Sequence, residues 1–302
     1  MTAVPNTKEI KNHIESVKDT KKITNAMYLI ASAKMRKAKA ELDRTRPYFT
    51  AVKSEMKRIF RSAPNVKSPY FYPEDKDHNS GAFGCLVITA DKGLAGAYNM
   101  NVIRKAEELL SEHEDTKLFV VGEFGRQYFA KKKIPVEKSF LYTAQNPTIQ
   151  RAREIADILL ELYDEQAVSK IYVVYTDWKN GMSEETVATR LLPFHRNEFA
   201  NAEEKEVKTP FEFLNSVDVV LRAMVPSYLS GFIYAALVDS FCCEQTSRMT
   251  AMDSANRNAE KILSELSVEY NRVRQAAITR EITEVSAGAR AQKAKKEAAE
   301  LE

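Results

Sequence analysis

The fold of this 302-residue chain is decided by residues 234–289, which read YAALVDSFCCEQTSRMTAMDSANRNAEKILSELSVEYNRVRQAAITREITEVSAGA. They lie in a segment that has no proline after Pro226, only two glycines, and many Ala, Glu, Lys, Arg, Gln and Leu residues. This composition predicts one continuous helix. About 70 helical residues extend roughly 105 Å, whereas a compact chain of this length is only about 50 Å across. The helix is therefore expected to project from the globular part.

The other end of the chain, residues 7–61, carries a second long helical pattern. Apolar and small side chains recur there at alternating steps of four and three residues, the spacing of a coiled-coil seam. Because helix formers resume after Pro47, we expect a kink there rather than an end. The predicted seam positions are Ile10, Ile14, Val17, Lys21, Thr24, Tyr28, Ala31, Met35, Ala38, Leu42, Thr45 and Phe49, widened by Ile23, Met27 and Ile30.

The C-terminal helix has a comparable seam, so the two helices are predicted to pair. Two seams of similar period at opposite ends of one chain indicate an antiparallel coiled coil. A projecting helix cannot bury its apolar stripe on its own globule, and it therefore needs another helix or a surrounding partner. The predicted C-terminal seam positions are Met252, Ala255, Ala259, Ile262, Leu266, Tyr270, Val273 and Ala277.

Between the two helices the pattern changes period. Residues 68–84 are rich in Pro, Tyr, Asp and Gly and are expected to form a linker. Strands are predicted at 85–90, 118–121, 136–142, 171–176 and 184–192, helices at 101–113, 126–132 and 148–165, and a hairpin turn at Asn180-Gly181. This alternation predicts a three-layer, Rossmann-like α/β domain with a mainly parallel sheet and one antiparallel edge.

The predicted fold class is thus α/β plus long helices: an antiparallel coiled coil of the N- and C-terminal helices with the α/β domain inserted between them. The predicted boundaries are 1–61 for the N-terminal helix, 62–84 for the linker, 85–210 for the α/β domain, and 211–302 for the C-terminal helix with its charged tail.

Composition limits the class of protein. The chain is 44% hydrophobic and 29% charged, which allows an ordinary core together with much solvated helix. Its longest apolar runs fall far short of the ~20 residues that span a bilayer, and the N-terminus has no apolar signal-peptide core. We expect a cytoplasmic protein that is not embedded in a membrane. Cys85, Cys242 and Cys243 have no metal-ligand spacing and are expected to be reduced and structural.

The sequence contains no catalytic motif. The loop DKGLAG, residues 91–96, follows a strand and precedes a helix, where α/β folds hold phosphates. It fits neither GxGxxG nor GxxxxGK[ST], so a tight structural turn is favoured over nucleotide hydrolysis. The four histidines are scattered. No metal, cofactor or directly bound nucleotide is therefore expected.

The first helix has a basic face. Between residues 8 and 39, nine bases oppose three acids, a local excess of +6. Three interpretations stay open: a nucleic-acid site, an ordinary solvated face, and a track along an acidic protein surface, where each exposed ion pair contributes about 0–1 kcal/mol. Nucleic acid is the least favoured, because no aromatic residues for base stacking accompany the bases.

Three segments together resemble the gamma subunit of bacterial F-type ATP synthases: IKNHIESVKDTKKITNAMYLIASAKMRKA at 10–38, ITADKGLAGAYNMNVIRKA at 88–106, and residues 234–289. The resemblance covers nearly the whole chain in the same order. It implies a non-catalytic rotor shaft whose coiled coil lies inside the ring of alpha and beta subunits. It also implies that the α/β domain sits beside the epsilon subunit and the c-ring, and that the asymmetric shaft biases each beta subunit in turn.

The same resemblance implies one copy per complex and a peripheral place on the cytoplasmic face of the cell membrane. It also carries over partner contacts by motif. The residues implied to touch the alpha and beta subunits are Met27, Ile30, Lys34 and Arg36 on the first helix, and Arg274, Gln275, Thr279, Glu281 and Glu284 on the last. For each of these, an ordinary seam or solubility role is the alternative.

The chain departs from the family pattern in three places. Cys242-Cys243 stands where a pair of small residues is usual, Ala95 stands where many members have cysteine, and residues 290–302 continue beyond the usual end. Two rival functions remain: a structural tether whose α/β head docks on another complex, and a nucleotide-dependent enzyme using the loop at 91–96.

Overall fold

The computed structural model describes residues 7–62, 68–71, 82–113, 115–141, 144–179, 183–194 and 216–299. Within these ranges the elements are, in chain order, α1 (Thr7–Ser62), β1 (Phe83–Ile88), α2 (Tyr98–Glu112), β2 (Thr116–Val121), α3 (Glu123–Lys131), β3 (Lys138–Phe140), α4 (Ile149–Asp164), β4 (Lys170–Lys179), β5 (Ser183–Leu192) and α5 (Val217–Ala299).

The two long helices are each continuous through a proline. Pro47 lies inside α1 and does not end it, as predicted, and Pro226 lies inside α5. Because a proline removes only its own backbone donor, flanking helix formers and tertiary packing sustain the helix on both sides. α5 therefore begins before Pro226, at Val217.

The sheet has five strands in the order β3-β2-β1-β4-β5. The first four strands in that order pair in parallel, and β5 pairs antiparallel with β4, as predicted. The predicted hairpin turn at Asn180-Gly181 lies outside the described residues, but β4 and β5 pair up to Lys179 and Ser183 on either side of it. The third strand is shorter than predicted.

Helices cover both faces of this sheet, which gives the predicted three layers. Alternate residues of β1 point to opposite sides, the period expected of a strand. Leu86 and Ile88 join a core with α1, α4 and α5, whereas Cys85 and Val87 join a second core with α2 and α3. Since both faces are buried, β1 is apolar along its whole length.

The structure divides into two compact units. The described part of the smaller unit is residues 7–29 with 252–299, and the larger unit spans residues 30–251. The division passes through both long helices. The domain boundaries predicted from the sequence lie at the ends of helices and strands, whereas the two compact units divide within the long helices. The predicted boundaries therefore stay a prediction.

One part of α5 is apolar enough to raise the question of a membrane span. Among the described helices, a window within Val217–Gln292 meets the length and composition of such a span. Nearly half of that window is buried inside the protein, and Leu229, Ile233 and Leu237 belong to the core. Packing against the sheet and α1 explains this composition.

Candidate functional site

In the smaller unit, α1 and α5 pair antiparallel through polar as well as apolar side chains. The Lys21 Nζ lies 2.7 Å from the Glu260 carboxylate, and the Thr24 hydroxyl donates to the Asn256 side-chain oxygen. Lys21 and Thr24 occupy predicted seam positions. Polar side chains in a seam fix the register of two helices, because any other alignment leaves them without partners.

The predicted seam of α1 agrees with burial along the helix. Ile10 is buried, and Ile14, Val17 and Met35 are half-buried. Ile23 and Ile30, which were expected to widen the seam, are instead exposed by 61% and 55%.

The seam of α5 differs from the prediction at two positions, Ile262 and Ala277, which are both exposed. Ile262 is 40% exposed, whereas Leu263, Leu266 and Val273 are half-buried. Ala255, Asn256 and Leu263 are all half-buried, so the paired surface of α5 lies slightly to one side of the predicted seam. The side chain of Asn256 faces Thr24, and counting steps of three and four from Asn256 leads to Leu263.

The predicted partner-contact residues lie on the surface of the long helices, with one exception. Met27 is half-buried, so it contributes to the pairing of the helices as well as to the surface. The other eight, Ile30, Lys34, Arg36, Arg274, Gln275, Thr279, Glu281 and Glu284, are exposed. Exposure removes the seam interpretation for Ile30.

Toward its end, α5 is exposed to solvent on every side. Every residue from 274 to 292 is exposed. Ile278, Ile282 and Val285, spaced by four and three residues, form one apolar stripe on this part. A single helix in water is only marginally stable, so a surrounding partner is the physical expectation.

In the larger unit, α5 packs closely against α1. A Cβ added to Gly231 would lie 2.1 Å from the Phe49 ring, and that ring packs at 6.0 Å from the ring of Tyr234. The Thr246 hydroxyl lies 3.3 Å from the sulfur of Met35. Gly231 thus allows the helix backbone to approach an aromatic side chain.

The same part of α5 is fastened to the sheet by hydrogen bonds. The Thr176 amide donates to the Ser240 hydroxyl at 3.3 Å, and the Cys243 thiol lies 3.8 Å from the Thr176 carbonyl. Ser247 donates to the Glu184 carboxylate at 2.9 Å, and burial raises the pKa of Glu184. α5 therefore holds both β4 and β5.

The three cysteines are free and buried, in agreement with the sequence prediction. Burial raises the pKa of Cys85 to about 12. Burial, with the neighbouring Asp239 as a smaller cause, raises the pKa of Cys242 to about 12. Because the thiolate is the reactive form, these side chains behave as small apolar residues at neutral pH.

A carboxyl group on α5 has an unusual environment. Burial, with the neighbouring Asp177 on β4 as a smaller cause, raises the pKa of Asp239 to about 7, against the opposing effect of Arg46 on α1. Asp239 therefore gains its charge near neutral pH, in a position between α1 and the sheet.

The loop after β1 uses its polar groups within the protein. The Asp91 carboxylate accepts the Glu123 amide at 3.0 Å, at the start of α3. The Thr89 hydroxyl accepts the Gly125 amide at 3.0 Å. A phosphate at this helix start would have to displace Asp91, whose negative charge already complements the helix dipole. The Asp91 side chain thus contributes to the structure of the turn and to the start of α3.

Two further features bear on chemistry. No group of three His, Cys, Asp or Glu residues suited to a metal ion occurs within the described ranges. An open groove of about 400 Å³ lies between α2 and β5, with Arg104, Glu184 and Thr186 among its lining residues. The groove is lined by both positive and negative side chains. One of them, Glu184, also accepts the hydrogen bond from Ser247 that joins β5 to α5.

Sequence reasoning missed one buried ion pair. The Arg248 guanidinium contacts the Glu244 carboxylate one turn away, and both side chains are nearly buried. Arg248 also donates to the Gly93 carbonyl at 2.9 Å. The available signal was an acid and a base four residues apart, directly after the apolar run that ends at Cys243.

Known proteins resemble this chain over nearly its whole length. The ATP synthase family profile matches residues 6–292. The ATP synthase gamma chain of Caldanaerobacter subterraneus subsp. tengcongensis is 44% identical over 294 residues, which cover 93% of this chain and 98% of the relative. That of Ruminiclostridium cellulolyticum is 40% identical over 291 residues, covering 95% and 98%. The sodium ion specific gamma chain of Acetobacterium woodii is 33% identical over 301 residues, covering 95% and 98%.

Solved structures share the fold. A chain from the central stalk and c-ring of the Tetrahymena thermophila mitochondrial ATP synthase matches with a TM-score of 0.57 at 24% identity, over 77% of this chain and 99% of that chain. A chain of the Euglena gracilis mitochondrial ATP synthase matches with a TM-score of 0.65 at 15% identity, over 96% and 95%. With the profile match and the bacterial relatives, these findings show that this chain belongs to the ATP synthase gamma chain family.

Proposed function

We infer that this chain is the central rotor shaft of an F-type ATP synthase, a non-catalytic subunit that couples ion flow through a membrane c-ring to conformational cycling of the beta subunits. Family membership supports this function. The structural observation that carries it is the exposed end of α5, where every residue from 274 to 292 is exposed. Chemistry on ATP belongs to other subunits of the complex.

The end of α5 has the surface expected of a shaft inside a sleeve. Its stripe of Ile278, Ile282 and Val285 is apolar and exposed, and such a stripe on a soluble protein is covered by a partner. Polar contacts are proposed on either side of the stripe. These are Arg274, Gln275, Thr279, Glu281 and Glu284, all of which are exposed.

The surface of α1 is proposed to meet the same alpha and beta ring with charge. Lys34 and Arg36 are exposed on this basic helix, beside the exposed Ile30. Each exposed ion pair contributes only about 0–1 kcal/mol, so many weak contacts with an acidic surface permit rotation, whereas a few strong ones would oppose it. Of the three interpretations of the basic face, this one agrees with the family.

The α/β domain is proposed to contact the epsilon subunit and the c-ring. The matched structures come from central-stalk, rotor and c-ring assemblies of other organisms, and this chain has the same fold. The proposal includes one copy of the chain per complex, held as a peripheral subunit on the cytoplasmic face of the cell membrane.

Co-expression with the alpha and beta subunits of the same organism tests the assignment. We expect a complex of three alpha, three beta and one copy of this chain, measured by native mass spectrometry. The double variant Ile278→Asp with Ile282→Asp should weaken assembly at least tenfold, because it places charges on the stripe. The matched control is Leu141→Asp, at an exposed leucine of the α/β domain.

Two outcomes would contradict the proposal. One is a complex with this chain in equal number to alpha or beta, which is the result expected of a structural tether. The other is a wild-type chain that binds neither subunit while remaining folded by circular dichroism. Equal loss of assembly in the control and the double variant would contradict the role proposed for the stripe, but not the proposed function of the chain.

A further inference from the structure

The loop between β1 and α2, residues 89–97, is held in an unfavourable backbone conformation. Leu94 has φ +63° and Gly96 has φ +54°. Glycine adopts this region readily, but a leucine rarely does. The surroundings must therefore impose the conformation of the loop.

Two side chains hold the carbonyl groups of this loop. Asn99, in the first turn of α2, accepts the Ala90 amide at 2.9 Å and donates to the Lys92 carbonyl at 3.3 Å. Arg248, from α5, donates through Nη2 to the Gly93 carbonyl at 2.9 Å and lies 3.5 Å from the Lys92 carbonyl. Asn99 belongs to the α/β domain itself, whereas Arg248 reaches across from the terminal helix.

Arg248 is fixed on its other side by Glu244. The side chains of the pair are 11% and 7% exposed. Burial raises the pKa of Glu244, Arg248 opposes that shift, and Asp91 at the base of the loop adds to it. The guanidinium therefore compensates a buried carboxylate with one edge and binds the loop with another, a double task that the planar fork of arginine allows and an ammonium does not.

We infer that Arg248 is a positioning residue that fastens the loop at 91–97 to α5, so that a displacement of the α/β domain is passed directly to the terminal helix. The inference rests on the proposed function, because the α/β domain has a load to transmit only in a rotor shaft. Glu244 orients Arg248, and Asn99 keeps the loop rigid on the side of the domain.

Hydrogen exchange on the full-length chain tests the fastening without any partner. In Arg248→Gln, amides of the loop should exchange at least tenfold faster than in the wild type. Arg248→Lys keeps the charge beside Glu244 but loses the planar fork. We therefore expect loop amides to exchange as fast as in Arg248→Gln, with a smaller loss of thermal stability than in that variant. Controls are Arg257→Gln, which breaks an exposed pair with Asp253 on the same helix, and Ile233→Val, which weakens the buried part of α5. Both should leave loop exchange as in the wild type.

The assembled complex tests the consequence for coupling. With Arg248→Lys in the complex, ion pumping per ATP hydrolysed should fall at least threefold, while the hydrolysis rate stays within twofold of the wild type. A residue with only a structural role would lower both in proportion to the amount of complex. Ile233→Val provides that comparison.

The outcomes separate this inference from the proposed function. Unchanged loop exchange in both Arg248 variants would overturn the inference, as would acceleration of equal size in Ile233→Val. Should Arg248→Gln fail to fold, Arg248→Lys decides alone. Failure of the wild-type chain to join alpha and beta subunits would contradict the proposed function and leave the exchange result standing.

Discussion

Two parts of the same helix, α5, have opposite environments: one is buried and the other is exposed to solvent. In residues 225–245 the helix is buried against α1 and the sheet, with Leu229, Ile233 and Leu237 in the core. In residues 274–292 every side chain is exposed, including Ile278 and Ile282. The first part lies in a long apolar run and the second among charged residues, yet isoleucines occur in both. The comparison teaches that an apolar residue of α5 stabilises the fold of the chain in residues 225–245, whereas in residues 274–292 it is available to a partner.

The largest effect should come from a charge placed in the buried part. Ile233→Asp buries a carboxylate without a partner, and we expect a loss of about 4–5 kcal/mol in the free energy of unfolding. Ile282→Asp places the same charge on a side chain that is 61% exposed, and should change stability by less than about 0.5 kcal/mol. Urea unfolding of the isolated chain measures both. Similar losses in the two variants would contradict the division of α5.

The second effect concerns pH and the buried part of α5. Because the pKa of Asp239 is raised to about 7 in the folded chain and is near 3.9 in an unfolded one, the folded state binds the proton more tightly. Stability is therefore expected to fall as pH rises from about 4 through 7, by about 1–2 kcal/mol after allowance for partial exposure. Asp239→Asn should remove this part of the slope and be more stable than the wild type at pH 8. An unchanged slope in urea unfolding between pH 5 and 8 would count against it.

A third effect compares the two glycines of α5. At Gly288 an added Cβ meets nothing within 4 Å, so Gly288→Ala should stabilise the helix by up to about 1 kcal/mol. At Gly231 the same Cβ would collide with the Phe49 ring, and Gly231→Ala should destabilise the chain by about 1–3 kcal/mol. Circular dichroism, which measures helix content and thermal unfolding, shows whether each variant is more or less stable than the wild type. Stabilisation in both variants would show that the Phe49 ring yields easily.

The smallest effect is expected for the ion pair of the smaller unit. The side chains of Lys21 and Glu260 are 37% and 63% exposed, so a double-mutant cycle with Lys21→Ala and Glu260→Ala should give a coupling below about 1 kcal/mol. Salt should reduce it further. A coupling above about 2 kcal/mol would mean that the pair is shielded in the folded chain.

Much of the fold could be predicted, because it depends on periodicity. The predicted seam of α1, from Ile10 to Phe49, falls on buried or half-buried positions throughout. Strand alternation gave the layers and the antiparallel edge. Ile262 and Ala277 lie on the predicted seam of α5 but are exposed. Periodicity alone does not tell that the polar Asn256 has a partner on the facing helix.

The candidate site was less accessible from sequence. Exposure of Lys34 and Arg36 follows from the heptad pattern, since both lie off the seam. The contact of Arg248 with the Gly93 carbonyl joins residues far apart in the chain, and no local pattern encodes such a distance. The role of Asp91 at the start of α3 was hidden for the same reason.

The polar pairs of the smaller unit have a consequence for mechanical load. Two helices joined only by leucines could slip past each other by one heptad and find a nearly equivalent fit. Here such a slip would move Thr24 from Asn256 to the apolar Leu263, so each step carries a penalty even though the pairs contribute little to stability. The polar pairs therefore resist sliding of one helix along the other, and the register of the two helices stays constant while force is applied.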